Sequence, residues 1–136
     1  MIVIDTHVLI WAFQNDDRLG RGAVGLIEAE ASRGSVMVPA ICALEIARLD
    51  RAGRVPFAGD GRQWIRDTIA TPGFALADLS PDIAFDAEMM AGDHRDPADR
   101  MIVATASHFD CPLLTADRAI LAHAAAGHLK AIDARV

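Results

Sequence analysis

Apolar residues recur along this chain in two rhythms that alternate with each other. Residues 1–5 form a short β-branched run ending in Asp5, and Asp5-Thr6 then open a helix that reaches Phe13. Residues 21–33 place Val24, Ile27 and Ala31 at helical spacing, with Gly34 as the stop. Residues 35–38 predict a strand, and Pro39 then sits in the first turn of a helix over 40–53 that ends at Gly53. A helix over 60–71 is closed by Pro72-Gly73, a strand covers 74–79, and Ser80-Pro81 start a helix that runs to residue 91. Asp96-Pro97 initiate a helix over 98–109, followed by a strand at 112–115, a helix at 117–126 and a last strand at 128–132. Strands that alternate with helices of this length need crossover connections. The expected class is therefore α/β, with a mostly parallel sheet covered by helices on both faces. The stretch 55–61, with Pro56, Gly59 and Gly61, reads as a loop inside the domain, and no internal repeat or low-complexity segment interrupts the pattern.

Composition narrows the class further. A length of 136 residues fits one domain, and 52% apolar with 24% charged residues is a globular composition. No run approaches the ~18 apolar residues of a membrane span. The opening Met1-Ile2-Val3-Ile4-Asp5 also lacks the basic start of a signal peptide, so a soluble, cytoplasmic protein with no membrane partner is expected. Thirteen Lys+Arg against nineteen Asp+Glu give a net charge of −6, which speaks against capture of nucleic acid by the surface as a whole. It leaves room for a nucleic-acid enzyme whose metal ions supply local positive charge. Cys42 and Cys111 are too few for a disulfide framework and each reads as a small buried hydrophobe. The basic residues are twelve Arg and one Lys, a bias that suits bidentate phosphate or carboxylate recognition.

The candidate chemistry lies in acids that stand in apolar settings. Asp5 ends a strand and Asp117 follows one by a single residue, at the edge where open parallel sheets bind ligands; each also has a helix to cap. Glu45 interrupts the apolar stripe of Ile41 and Leu49, while Arg48 and Arg51 hold the polar face. An acid on an inward face needs a partner, a proton or a metal. Asp99 has Ile102, Val103 and Ala106 three, four and seven residues on, again an inward position, and Asp96 directly before Pro97 serves as a helix cap or as a further acid. Asp5, Glu45, Asp99 and Asp117 brought to one edge would repel one another unless cations neutralise them. Ligands that are all oxygen favour a hard ion, Mg²⁺ or Mn²⁺, and such a site with open water positions serves phosphoryl-ester hydrolysis.

Four ordered blocks carry a resemblance: Ile4-Asp5-Thr6-His7-Val8-Leu9-Ile10-Trp11, Ala43-Leu44-Glu45-Ile46, His94-Arg95-Asp96-Pro97-Ala98-Asp99-Arg100-Met101-Ile102-Val103-Ala104-Thr105-Ala106, and Leu113-Leu114-Thr115-Ala116-Asp117. Together they make the chain resemble a PIN domain, specifically the VapC-type ribonuclease toxins of prokaryotic toxin–antitoxin pairs. The resemblance implies a single PIN-like domain over 1–136, a three-layer α/β/α sandwich around a five-stranded, mostly parallel sheet. It implies Asp5, Glu45, Asp99 and Asp117 as catalytic acids, with Asp5, Asp96, Asp99 and Asp117 as metal ligands. Thr6 and Thr115 would orient the carboxylates, and Arg95, Arg100 and Arg118, which flank the acids, either contact phosphates or form ordinary surface ion pairs. The activity implied is Mg²⁺-dependent endonucleolytic cleavage of RNA by a homodimer held inactive by a cognate antitoxin protein. Ala98 departs from the pattern, since relatives often carry a bulky aromatic there. A PIN-like binding module without catalysis is the alternative reading, and the presence of all four acids speaks against it. A phosphoacceptor receiver domain lacks its acidic pair at the first strand, and an aspartate-nucleophile phosphatase lacks its second Asp, because position 7 is His. Trp11 and Trp64 read as core or dimer-face residues, and the apolar positions Ile65, Ile69, Ile83, Phe85 and Met89 as core or as a partner interface.

Overall fold

The computed structural model describes residues 1–90, 96–127 and 129–136. Among them the elements follow in the order β1 (Ile2–Ile4), α1 (Thr6–Phe13), α2 (Arg21–Ala31), β2 (Val36–Pro39), α3 (Cys42–Ala52), α4 (Gly61–Ala70), β3 (Phe74–Ala77), α5 (Pro81–Met89), α6 (Pro97–His108), β4 (Leu113–Thr115), α7 (Arg118–Ala125) and β5 (Ala131–Asp133). The five strands form one sheet in the order β3-β2-β1-β4-β5, and all four pairings are parallel. The chain builds outward from β1 through β2 to β3, then returns to lay β4 on the other side of β1. With right-handed crossovers this reversal puts helices on both faces of the sheet, an α/β/α sandwich. It also leaves a crevice between the carboxyl ends of β1 and β4, where successive connections depart in opposite directions.

Strands covered on both faces should be largely apolar, and the three central ones are: Val3, Ile4, Val36, Val38, Leu113 and Leu114 of β1, β2 and β4 are fully enclosed. Each such side chain contributes about 1.5–3 kcal/mol by leaving water. Helix α6 is buried nearly all round, from Ile102 through Ala106, because it packs on β1, on α3 and most extensively on α5. A second, smaller apolar cluster of Ile83, Ala87 and Ala104 seals the α5–α6 contact.

Several expectations need correction. Pro39 does not open a helix; it is the last residue of β2, opposite Ala77. The β1–β2 pairing is already over at Met37, so no neighbour asks Pro39 for the N–H it lacks. Helix α3 consequently starts later, at Cys42, with Glu45 in its first turn. The helix expected to reach residue 91 ends at Met89. On α5 only Ile83 and Ala87 are core, while Phe85 and Met89 are 67% and 68% exposed. Trp11 is buried beneath the guanidinium of Arg18, and Trp64 packs edge-on against Phe13 and tilted against Phe57. The expected positions Arg95 and His94, and the start of the last strand at 128, lie outside the described residues.

Candidate active site

Asp5 leaves the carboxyl end of β1 and caps α1, its Oδ1 accepting the Thr6 N–H at 2.7 Å. Its other oxygen, Oδ2, accepts the Thr115 hydroxyl at 2.5 Å from the end of β4. The same Oγ1 accepts the Asp117 N–H at 3.0 Å, so Thr115 bridges Asp5 and the start of α7. Asp5 is thus 5% exposed and held at both oxygens. One residue on, the buried Thr6 hydroxyl donates to Glu45 Oε1 at 2.6 Å, which ties the start of α1 to the first turn of α3. The Cys42 thiol lies against the same hydroxyl, and burial pushes it well above the ordinary thiol range.

Asp99 completes the centre from the first turn of α6. One carboxylate oxygen from each of Asp5, Glu45 and Asp99 can be chosen so that all three lie within 4.8 Å of one another. One strand end and two helix starts therefore converge on one spot, which brings together three of the four acids expected there; Asp117 is not among them. Asp96 and Asp117 stand at its rim. The Oδ1 of Asp96 accepts the Ala98 N–H at 3.0 Å to cap α6, and that of Asp117 accepts the Ile120 N–H at 3.0 Å to cap α7. Both are close enough for their charge to be felt at Asp99.

Electrostatics make the cluster costly without a counter-charge. Burial, and then its neighbours Asp5, Asp96, Glu45 and Asp117, push the Asp99 carboxyl up to about 7. Burial also raises Asp5 and Glu45, against the opposing pull of the threonine hydrogen bonds. Among the described residues no Arg or Lys forms an ion pair with Asp5 or Glu45; the exposed His7 is the basic group near enough to lower both. A half-buried, all-oxygen donor set of this kind fits a hard divalent cation, which would take Asp5, Glu45 and Asp99 as ligands.

The flanking arginines behave differently from one another. Arg100 turns toward α5 and pairs with Glu88 at 3.3 Å. Arg118 is exposed and lies near enough to Asp133 to lower that carboxyl. His7, adjacent to Asp5–Thr6 in the first turn of α1, is near enough for its charge to be felt at Asp5 and Glu45.

The architecture is a parallel α/β/α sandwich with an acidic centre at the crevice between β1 and β4, the place where open parallel sheets bind ligands. The PIN domain family profile matches residues 2–132, and the chain belongs to that family. The chain is 29% identical over 126 residues to Ribonuclease VapC22 of Mycobacterium tuberculosis (strain ATCC 25618 / H37Rv), covering 90% of this chain and 91% of that protein. Among solved structures, FitAB bound to an IR36 DNA fragment superposes with a TM-score of 0.66 at 18% identity, covering 100% of this chain and 96% of that one. VapBC2 from Rickettsia felis, bound to a DNA fragment from its promoter, gives 0.65 at 12% identity over 97% and 98% of the two chains. A toxin–antitoxin complex from Klebsiella pneumoniae gives 0.62 at 20% identity over 98% and 97%. These structures share the fold.

Proposed function

We propose that this chain is a VapC-type endoribonuclease, the toxin of a toxin–antitoxin pair, and that it hydrolyses RNA phosphodiesters with a divalent cation, Mg²⁺ in the cell. The observation that carries the reading is the convergence of the Asp5, Glu45 and Asp99 carboxylates within 4.8 Å, half-buried and raised toward the protonated state. The ribonuclease name of the Mycobacterium tuberculosis relative and the toxin–antitoxin assemblies among the structural neighbours support it.

When bound, the cation would neutralise the acids, activate water and stabilise charge on the scissile phosphate. The chain's own residues do the positioning. Thr115 and the Thr6 N–H fix both oxygens of Asp5, and the Thr6 hydroxyl fixes Glu45, so the acids are arranged before substrate arrives. Asp117 and Asp96 add negative potential at the rim, where they can complete the coordination of the cation or of a second one. In the reaction water adds to phosphorus and the bond to the leaving ribose oxygen breaks. One product keeps the phosphate, and the other takes the proton as a hydroxyl group. The antitoxin is the partner proposed to hold the toxin inactive. A homodimer is also proposed, and the exposed Phe85 and Met89 of α5 offer apolar surface for it.

The test is cleavage of total cellular RNA by the purified, antitoxin-free protein with Mg²⁺, with EDTA, and with Asp5→Asn in parallel. Cleavage that needs the cation and vanishes in a folded Asp5→Asn variant is expected. A folded, Mg²⁺-loaded protein that cuts no RNA would leave the binding-module reading in its place. Equal cleavage by both proteins would mean that the acids are not the active site.

A further inference from the structure

The acidic protein has one region with the opposite character. Residues 48–67 contain five Arg against three Asp, while the rest of the chain has eight basic residues against sixteen acids. All five, Arg48, Arg51, Arg54, Arg62 and Arg66, are exposed, and none makes an ion pair or a side-chain hydrogen bond among the described residues. Elsewhere most basic side chains are engaged: Arg18, Arg33, Arg100, Lys130 and Arg135 pair with acids, which leaves Arg21 and Arg118 among the described residues, Arg95 lying outside them. In a chain with an excess of acids, five arginines close in sequence with no ion pair among the described residues point to an external anion.

Their placement is fixed by a clamp between α3 and α4. Asp50 of α3 accepts the N–H of Gly61, the first residue of α4, at 2.8 Å. The contact is close, since a Cβ on Gly61 would stand 2.9 Å from Asp50 Oδ2. The next residues, Arg51 and Arg62, flank that contact, and Arg66 follows Arg62 one turn along α4. These three line a groove of about 530 Å³ together with Ala43, Ala47 and Ile65. Asp50 and Asp60 also line it, but each has an oxygen occupied by a backbone N–H. Helix α3 joins this face to the acids: Glu45 lies in its first turn and Arg51 six residues on, about 9 Å along the axis.

We propose that the α3–α4 arginine face binds the sugar–phosphate backbone of the RNA substrate beside the scissile bond. The planar guanidinium fork matches a phosphate, and a row of such groups tracks a strand without reading its sequence. The proposal rests on the nuclease reading for its ligand and deepens it, because it gives a −6 protein a local cationic surface for a polyanion.

The experiment measures binding of a fluorescein-labelled single-stranded RNA of about twenty nucleotides, in EDTA, across a salt series. Wild type is compared with R51Q/R62Q/R66Q and with R51K/R62K/R66K. The glutamine variant is expected to bind at least tenfold more weakly at low salt. Its slope of log affinity against log salt should be smaller by about 2, since each lost phosphate contact to a single strand removes about 0.7. The lysine variant keeps most of the slope and controls for folding, as does circular dichroism of all three. Equal affinity and slope in wild type and the glutamine variant would overturn the proposal. So would unchanged RNA binding with lost binding of poly-glutamate, which would make the face a dock for an acidic protein segment. Cleavage by wild type with Mg²⁺ is read separately. If it is absent the nuclease reading fails, and the salt slopes still decide whether the arginine face holds RNA.

Discussion

Helix α3 carries two opposite charge environments a turn and a half apart. At its start, Glu45 joins Asp5 and Asp99 in a half-buried cluster whose oxygens are aimed by threonine hydroxyls and a backbone N–H. Toward its end, Arg48 and Arg51 stand in solvent and form no ion pair among the described residues. The acids are held together at an electrostatic cost that shows in the raised carboxyl of Asp99. The arginines are free of such a cost because water screens them. Precise geometry at one end and loose charge at the other are what a hydrolytic centre and a sequence-tolerant anion surface respectively require.

The largest expected effect separates activity from stability at the acid end. Asp99→Asn should lower RNA cleavage by about two to three orders of magnitude or more, the scale of losing one electrostatic element of a catalytic site. In EDTA at pH 8, where Asp99 is ionised, the same variant should melt higher than wild type, because one charge leaves a mutually repelling group. Cleavage kinetics and thermal melts on the same preparation check both, and a variant that melts lower in EDTA would break the account of the cluster.

Next comes Thr115→Val, which strands both the Asp117 N–H and Asp5 Oδ2. A loss of about 1–3 kcal/mol in chemical denaturation is expected. Activity should need about 10–100-fold more Mg²⁺, the usual penalty for losing a group that orients a ligand. Thr115→Ser should restore most of both.

The pH dependence of the metal-free protein follows. Asp99 keeps its proton to about 7 in the fold against an ordinary 3.8, so between those values the folded state binds more protons than the unfolded one. Stability in EDTA should therefore fall as pH rises from about 4 to 7, with Asp5 and Glu45 acting in the same direction. Saturating Mg²⁺ should flatten the profile. A melting temperature in EDTA that climbs over that range would contradict the raised carboxyls.

The smallest effect is expected at the α3–α4 clamp. Asp50→Ala removes the acceptor for the Gly61 N–H and should cost about 1 kcal/mol. Weaker RNA binding with unchanged cation affinity would sharpen the division between the two ends of α3.

The acid end was far more legible in the sequence than the arginine end. Asp5 ends an apolar strand and Asp99 faces inward with Ile102 and Val103, so burial of an acid could be read from periodicity alone. The strand–helix alternation likewise predicted the five-stranded sheet. Glu45 was found on a stripe drawn from a helix start that proved early, because Pro39 has a second use, at the end of a strand whose neighbour asks for no N–H there. The arginine face was not legible for a physical reason. Whether Arg51 or Arg62 has an internal partner depends on which acids the fold brings near, and on the Asp50–Gly61 contact that they flank. For Phe85 and Met89 the sequence left core and partner surface both open, and the helix turns them away from Ile83 and Ala87 into solvent.

The most direct measurement of the central claim is a Mg²⁺ titration of thermal stability at pH 8, from EDTA upward, on wild type and Asp99→Asn. If Asp5, Glu45 and Asp99 form a cation site, wild type should start below the variant, rise in a saturable way and overtake it, while the variant responds weakly. Wild type and variant that respond identically to Mg²⁺, or not at all, would contradict it.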